Sequence, residues 1–543
     1  MKKIIGATFV LLIAVLAFAY LYFSNLTVNS RTNDKALAEI PSDASMIFQF
    51  TNDKSLYDIF RDYQVFDAIT GVQKKGELSW LKKLLINNQE LYTETEGQKV
   101  FLSFHPAISD SVYFLWLMPL KGNVLPEKAE SILKKETQNN ITTTESFGIT
   151  VIKIKNSGLK RAFYLCIDQG IAKGSFSRSL LLHSIDKTTK KISPDFIKEI
   201  NSAINEDKNA LANLFINYNN NPGFLKPFFR YKLTDNFALL NSFIGYSALK
   251  MNYKSDALMF NGITITDTLT TSYINLYLHQ KPVKNTLKRI MPDNTSNFIS
   301  YGLSDYFKFH SDLKRLFAKR KELEKLNDRI SLITTETGIN SNRDIKKLWG
   351  NEFSTFQLST NENLATIKVS NGRQLQFFLE PISAFYSETV RKMKYPDLFY
   401  FYFGDPLKRY STPFYSVTDN LLIISNSPGS VQRFLNDYNA DKLLHNTEAF
   451  IEFDQLVADQ GNISFFVHFK NSRGIIRSLF KRNYAEIFSS NDYGLKDFYG
   501  VSFQLISNKD HFFTNFYVGY KNGIPKTDTT LNTTDTMISK PVN

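Results

Sequence analysis

The sequence predicts an α+β protein in which an N-terminal transmembrane helix is followed by two tandem related α+β repeats with mostly antiparallel sheet. Three observations support this prediction: a long apolar run near the start, similar segments spaced 251 positions apart (residue 40 to residue 291), and a recurring order of strand, tight turn, strand and helix. Because 43% of the 543 residues are hydrophobic and 14% are aromatic, the chain has enough apolar material for a packed core.

The membrane segment is predicted from residues 4–23, an uncharged run that follows Lys2 and Lys3. A helix of about 20 residues crosses a hydrocarbon core about 30 Å thick. A cleaved signal peptide is the alternative, because the small residues Ala17 and Ala19 resemble a cleavage site, but the apolar run continues beyond them. Since the lysines favour a cytoplasmic start, we expect a single-pass protein of the bacterial cytoplasmic membrane, with the bulk of the chain on the extracytoplasmic (periplasmic) side.

Five segments are predicted along the chain. Residues 1–24 form a cytoplasmic stub and the anchor, and the polar residues 25–39 form a spacer. The first α+β repeat spans residues 40–281, and the second spans residues 290–521. The Thr-rich tail, residues 522–543, has few apolar residues to bury and is expected to be disordered.

The two repeats are predicted from matches at a single offset. Ile40-Pro41-Ser42-Asp43 precedes a strand at residues 46–50, and Met291-Pro292-Asp293 precedes a strand at residues 297–301. Five positions within residues 163–186 are identical to those 251 positions later: Phe163, Tyr164, Asp168, Ser179 and Asp186. About one or two would be expected by chance, so the matches favour an internal duplication. A shared bias toward Phe, Asn and Lys is the alternative source of the matches.

Local signals predict hairpins and helix starts inside each repeat. Tight turns are expected at Asp168-Gln169-Gly170 and at Asp419-Asn420, where an aspartate oxygen can close a turn on its own backbone. Each hairpin is followed by a serine that can cap a helix, in Ser175-Phe176-Ser177 and in Ser427-Pro428-Gly429. The last two strands of each repeat are expected to pair through turns at residues 252–256 and 507–510.

The formal net charge of +13 would suit a nucleic acid or an anionic membrane as a partner. The densest basic cluster, however, is interleaved with acidic residues and with an apolar stripe of helical spacing; its cations are Lys314, Arg315, Lys319, Arg320 and Lys321. We therefore interpret the cluster as the solvated face of one long amphipathic helix and expect no nucleic acid partner.

The single cysteine, Cys166, excludes an intramolecular disulfide. It lies in the apolar stretch at residues 163–167, so we expect a buried structural thiol and not a nucleophile.

Motifs that carry chemistry are missing from the sequence. The chain has no Walker-type phosphate loop, no GxGxxG after a strand and no GxSxG elbow, and no two of its seven histidines are spaced as a metal-binding pair on one helix. We therefore predict no catalytic, cofactor-binding or metal-binding residue and no cofactor.

Two sets of residues leave alternatives open. Asp168 and Asp419 could face each other as a general acid and base, although their role in turns already explains them. The tryptophans Trp80, Trp116 and Trp349 could line an apolar groove or a carbohydrate platform, although packing in the core is the default for such large side chains.

The segments Ile40-Pro41-Ser42-Asp43-Ala44 and Leu421-Leu422-Ile423-Ile424-Ser425-Asn426-Ser427-Pro428-Gly429-Ser430-Val431 resemble motifs of an uncharacterised family of bacterial membrane-anchored envelope proteins, which is defined as a domain of unknown function. The similarity covers most of the chain in layout. In the first repeat, Gly174-Ser175-Phe176-Ser177 departs from the serine-proline start of the second. The resemblance implies an extracytoplasmic α+β module and supplies no catalytic residue.

These features favour a membrane-anchored, extracytoplasmic binding or scaffold protein of the bacterial envelope that is not an enzyme. The expected partners are the membrane, through the N-terminal helix, and an envelope protein or a hydrophobic ligand. A cleft between the two halves is the natural place for such a site. The rival hypothesis is a hydrolase of unrecognised type that acts on envelope polymers.

Overall fold

The structure is a computed structural model. It describes residues 35–54, 76–77, 79–83, 88–106, 112–121, 126–135, 139–205, 210–254, 257–488 and 494–520. The helix predicted for residues 4–23, most of the predicted spacer, the helical segment that follows the first strand and the tail at residues 522–543 lie outside the described residues.

The strands are numbered in chain order. Strands β1–β10 are Met46–Thr51, Lys99–Pro106, Val112–Pro119, Asn139–Ser146, Ile149–Asn156, Phe163–Asp168, Ile171–Ser175, Ala212–Asn217, Gly245–Lys254 and Ala257–Thr266. Strands β11–β22 are Val283–Lys284, Thr295–Gly302, Trp349–Leu358, Asn363–Val369, Ser383–Phe385, Arg391–Met393, Phe414–Thr418, Leu421–Ser425, Gln460–Gly461, Ile463–His468, Phe498–Asn508 and His511–Tyr520.

Helices connect and cover these strands. Helices α1–α7 are Gln89–Thr95, Pro126–Lys134, Arg178–Ile185, Pro194–Asn205, Asn221–Leu225, Tyr306–Lys319 and Leu323–Thr337. Helices α8–α13 are Gly372–Leu379, Leu398–Phe403, Pro428–Asn439, Glu448–Asp454, Arg473–Leu479 and Arg482–Ala485. The 3-10 helices of four or more residues in the described part of the chain are Asp235–Asn241, Tyr273–Tyr277, Leu287–Ile290 and Gly494–Asp497.

Twenty of the strands form one continuous sheet, and β11 and β19 form a separate two-stranded ribbon. The pairings give the order β4-β5-β6-β7-β3-β2-β1-β8-β9-β10-β22-β21-β20-β12-β13-β14-β18-β17-β16-β15, and neighbouring strands are antiparallel. The two halves of this order correspond strand by strand when each is read inward from its own end of the sheet. We call β1–β10 the first half of the sheet and β12–β22, without β19, the second half.

The predicted fold class, an N-terminal transmembrane helix followed by two tandem α+β repeats, is wrong. Two tandem repeats would each close a sheet of their own, whereas β10 and β22 pair from Ala257↔Gly519 to Thr264↔Phe512 and merge both halves into one sheet. None of the helices in the described part of the chain combines the length and the apolar composition needed to cross a bilayer. Common ancestry of the halves stays a prediction.

The joint between the halves has a local two-fold arrangement. At its centre Asn261 lies opposite Asn515, and the Asn261 Nδ2 donates a hydrogen bond of 2.6 Å to Asn515 Oδ1. A second contact lies between the connections β8–β9 and β20–β21, where Phe229 forms an isolated antiparallel bridge with Phe480. Their ring centroids are 4.5 Å apart.

Each face of the sheet carries apolar side chains because residues alternate along a strand. We call face A the side with Ile47 and Phe298 and face B the side with Phe48 and Ile299. Residues that lie opposite each other on neighbouring strands share a face. One such row runs across face A through both halves and consists of Gln49, Asn213, Lys250, Asn261, Asn515, Gln504, Ser464 and Ser300. Separate buried clusters cover face A and face B in each half.

Several local predictions are confirmed. Ser177 and Ser427 are N-caps, and their side chains accept hydrogen bonds from the backbone N–H groups of Leu180 and Ser430. Strands β21 and β22 are joined at Lys509-Asp510, within the predicted turn. Cys166 is buried, and burial raises the pKa of its thiol to about 12.

Other local predictions need correction. Asp168 is the last residue of β6 and pairs with Ile171, so the first turn consists of Gln169 and Gly170, both with positive φ. The single long helix predicted around residues 312–330 is two helices, α6 and α7, because the chain turns at Lys321 with a φ of 60°. Packing begins before residue 40, since Ala36 and Leu37 lie in the core of the first half.

The aromatic core of the second half encloses a histidine on α6. The ring of His310 stacks on Tyr306 with centroids 5.9 Å apart and meets Phe401 edge-on at 5.0 Å. Burial, together with the nearby cations Lys346 and Lys314, lowers the pKa of His310 to about 3. An unfolded histidine has a pKa of about 6.5, so the unfolded chain binds this proton first as the pH falls.

Replacement of His310 by Phe should reduce the acid sensitivity of the protein. Between pH 6.5 and pH 5 the proton uptake by unfolded His310 should cost the native protein about 1.5–2 kcal/mol, and the H310F variant should lose that much less. Urea unfolding of the full chain in detergent at both pH values measures this difference, with the exposed His279→Gln as the control. Equal pH dependence in H310F and the native chain would contradict the burial of a neutral imidazole.

Candidate functional site

The middle of face A forms a broad, partly open surface at the joint between the halves. We call it the joint floor. It consists of Tyr246, Ala248, Lys250 and Asn252 of β9, Met259, Asn261, Ile263 and Ile265 of β10, His511, Phe513, Asn515 and Tyr517 of β22, and Ser502, Gln504 and Ile506 of β21. Most of these side chains are half-buried, and Phe513 is 48% exposed.

A chain of amide side chains crosses the centre of the joint floor. Asn252 Nδ2 donates to Asn261 Oδ1 at 2.5 Å, and Asn261 Nδ2 donates to Asn515 Oδ1 at 2.6 Å. Lys250 lies beside Asn261 in the register. Nearby, Gln504 is held by the backbone of Ala458, to which it donates at 2.7 Å and from which it accepts at 3.0 Å. The centre of the floor is therefore polar and ordered.

Apolar side chains lie on both sides of this polar row. Ala248, Ile263, Phe513 and Ile506 form one cross-strand row, and Met259 and Tyr517 belong to the row on the other side. A surface with apolar rows around a few fixed hydrogen-bonding groups has the composition of a protein-binding surface.

Two helices flank the joint floor. Helix α4 packs on the β9 side, where Phe196 lies 4.9 Å from the ring of Tyr246. Helix α11 packs on the β22 side, where Phe453 lies 4.8 Å from the ring of Tyr517. Cavities at these walls are small, at about 10 Å³ under α4 and about 20 Å³ beside α11, which is room for a single water. Neither of these two cavities therefore has room for a bound small molecule.

A Ser–His–Asp arrangement lies on face A of the first half. Ser103 Oγ is 2.8 Å from His105 Nε2, and His105 Nδ1 is 2.8 Å from Asp43 Oδ1. Burial opposes ionisation of Asp43, but the hydrogen bond and charge of His105 outweigh it, so the pKa of Asp43 lies below its ordinary value. This order of atoms is the one that activates a serine nucleophile.

Burial argues against catalysis by this triad. Ser103 and His105 are 0% and 1% exposed, whereas the side chain of Asp43 is 42% exposed. A nucleophilic serine has to meet its substrate, and here the serine is the deepest of the three groups. The arrangement instead ties the turn before β1 to β2 through the partly buried hydrogen bond between His105 and Asp43, and the buried contact with Ser103 orients the imidazole.

A buried ionic cluster lies in the same half. The ammonium group of Lys173 is fully buried, 2.8 Å from Glu39 Oε2 and 3.0 Å from Asp168 Oδ2. Burial disfavours the charge of Lys173, but its hydrogen bonds to the two carboxylates outweigh burial and raise its pKa. The cluster fixes the strand β7 against the segment before β1, and Lys191, whose Nζ lies 3.9 Å from Glu39 Oε2, supplies a second cation for the two carboxylates.

The structure separates the two aspartates that sequence reasoning considered as an acid–base pair. Asp168 binds Lys173 within its own hairpin, and Asp419 accepts a hydrogen bond of 3.1 Å from the hydroxyl of Tyr438. Their strands, β6 and β17, lie near opposite ends of the sheet. Each carboxylate therefore has a local partner, and no shared cleft joins them.

The other candidate residues take structural positions. Trp116 is buried in the face B cluster of the first half, and Trp80 packs against that cluster. Trp349 is buried in the face B cluster of the second half. Within the described part of the chain, no three His, Cys, Asp or Glu side chains are grouped as metal ligands. In the basic cluster at the end of α6, Arg315 pairs with Asp312, and Arg320 pairs with Asp405 at 2.6 Å.

Sequence reasoning did not find the joint floor or the Ser103–His105–Asp43 chain. The spacing Ser103-x-His105 in a strand places both side chains on one face, which is a signal in the sequence. Their contact with Asp43 depends on the pairing of β1 with β2 across the 47 residues between Thr51 and Lys99. Comparison with family models, with curated proteins and with solved structures gives no match.

A serine-directed fluorophosphonate probe should not label Ser103 in the folded full chain, because its hydroxyl has no exposed surface. Ser103→Ala should also destabilise the protein by about 1–3 kcal/mol, since it leaves a buried imidazole nitrogen without its partner. Mass spectrometry after probe treatment and urea unfolding measure the two effects. Stoichiometric labelling of Ser103, lost in S103A, would contradict the structural role.

Proposed function

We propose that this chain is a membrane-anchored, extracytoplasmic binding protein of the bacterial envelope that binds a partner protein on the joint floor. The anchor and the compartment are inferred from the uncharged run at residues 4–23 and the lysines before it. The observation that carries the binding role is the partly exposed joint floor, with its central amides and its flanking apolar rows.

The dimensions of the joint floor favour a protein as the partner. Four strands about 4.8 Å apart span about 14 Å, which accommodates one helix or one hairpin. The floor residues span about seven positions along these strands, or about 23 Å, so the floor offers about 320 Å². A stable interface needs about 800 Å² on each side, and the partner would therefore also contact α4 and α11.

The chemistry of the joint floor supports the same choice. The amide of Asn515 can donate to a backbone carbonyl, and Lys250 supplies a positive charge at the edge of the polar row. Phe513 offers a large apolar anchor beside them. Aromatic anchors with nearby hydrogen-bonding groups dominate the binding energy of protein interfaces.

A photo-reactive residue at position 513 of the full chain should form a discrete adduct with one partner protein in cells of the source bacterium. A matched probe at Phe147, which is 59% exposed on the β4–β5 turn, should form no such adduct. Asn261→Arg, which places a long cation at the centre of the floor, should reduce the adduct from position 513 about tenfold, because it blocks the floor.

Comparison of the adducts from positions 147 and 513 shows whether the joint floor is a specific binding site. Adducts of the same identity and amount from positions 147 and 513 would refute a specific site on the joint floor. Cross-linking from 513 to lipid alone would instead favour a hydrophobic ligand.

A further inference from the structure

Exposed aromatic side chains are concentrated at the β15 end of the sheet. Phe377, Phe385 and Tyr386 are 67%, 70% and 55% exposed, and they fall within ten residues of the chain. The described residues contain eleven large hydrophobic side chains with comparable exposure, and the other eight are scattered from residue 147 to residue 513. Grouped exposed aromatics mark a binding surface, whereas single ones are ordinary.

The elements at this end hold the three aromatics in place. Phe377 projects from α8, and Phe385 is the last residue of the edge strand β15, opposite Arg391 of β16. Arg391 forms an ion pair with Glu380, directly after α8, which ties the helix to the hairpin. Tyr386 packs on Phe414 with ring centroids 5.1 Å apart.

Basic side chains lie beside these aromatics on both faces of the β15–β16 hairpin. Arg391 lies opposite Phe385 on one face, and Lys392 lies opposite Phe414, the ring on which Tyr386 packs, on the other. Within residues 372–394 the cations are Arg373, Arg391, Lys392 and Lys394, and the anions are Glu380 and Glu388, so the segment carries a net charge of +2. Arg391 and Glu380 neutralise each other, and Lys392 lies 5.2 Å from the centre of the Phe414 ring. Lys392, Lys394 and Arg373 are exposed.

We infer that the β15 end of the sheet binds the surface of an anionic phospholipid bilayer. Aromatic rings partition into the interfacial region of a membrane, and lysine and arginine next to them are attracted to acidic headgroups. Each such cation contributes about 1 kcal/mol at a negatively charged surface. The net charge of +13 of the whole chain acts in the same direction.

This contact would attach the folded part of the chain to the membrane at a second place, in addition to the N-terminal anchor. The first residues described, near Ala36 and Leu37, pack in the first half of the sheet, whereas β15 is the outermost strand of the second half. A chain held to the membrane before residue 35 and at β15 would lie along the bilayer. The lipid contact adds a second membrane-binding site to the proposed membrane-anchored protein, and it rests on that proposed function.

Hydrogen exchange of the full chain in lipid nanodiscs tests the inference. In discs with 30% phosphatidylglycerol, backbone amides of residues 377–392 should exchange about tenfold more slowly than in discs of phosphatidylcholine alone. Lys392→Glu combined with Lys394→Glu should remove the difference. Phe385→Ser should do the same, whereas Phe307→Ser, which changes a ring 58% exposed elsewhere, should not.

The outcomes separate the inference from the proposed function. If the chain does not remain in the discs at all, membrane anchoring fails. If the chain remains but residues 377–392 exchange equally in both lipids, only the lipid contact is overturned. Protection that depends on protein concentration and not on lipid would identify a second copy as the occupant and would also overturn it.

Discussion

The structure depends on the pairing of β10 with β22. Each half of the sheet would otherwise end in a long strand with unpaired backbone groups, and such an edge invites aggregation. Pairing these two strands satisfies both edges at once and leaves the outer strands β4 and β15 as the ends of the sheet. On its other side β10 packs closely against β9, where a Cβ atom at Gly262 would lie 2.0 Å from the carbonyl oxygen of Ala248.

The joint also creates the surfaces to which we assign function. The joint floor exists only because strands from both halves lie side by side on face A, with α4 and α11 at its borders. On face B the hydroxyls of Tyr218, Ser247, Thr264 and Thr514 form a buried hydrogen-bonded chain across the same joint. The two ends of the sheet differ, since β4 has eight residues and β15 has three next to exposed aromatics.

Local signals in the sequence predicted local structure well. The serine caps at Ser177 and Ser427, the turn at Lys509-Asp510 and the burial of Cys166 follow from interactions within a few residues or from apolar context. The role of Asp168 was misjudged because it depends on an ion pair with the buried Lys173. The turn pattern in the sequence does not indicate which residues are buried.

Long-range structure could not be read from the sequence. Pairings such as β1 with β8, or β3 with β7, join segments separated by many residues, and no local pattern specifies them. Both β10 and β22 have the alternating pattern of ordinary strands, which does not reveal that each is the partner of the other. The single sheet and the joint floor were therefore missed, and two tandem related repeats were predicted in their place.

Cross-linking between β10 and β22 tests the continuous sheet most directly. The variant with Asn261→Cys and Asn515→Cys places two thiols on opposite residues, whose Cβ atoms in such a pair lie about 5 Å apart. The native Cys166 does not interfere, because burial raises its pKa to about 12. If the sheet is continuous, a short thiol reagent should cross-link this pair rapidly within one chain, and it should give no cross-link when Asn261→Cys is combined with Asn363→Cys in β14. Absence of the cross-link in the first pair, or equal yield in both, would contradict the pairing of β10 with β22.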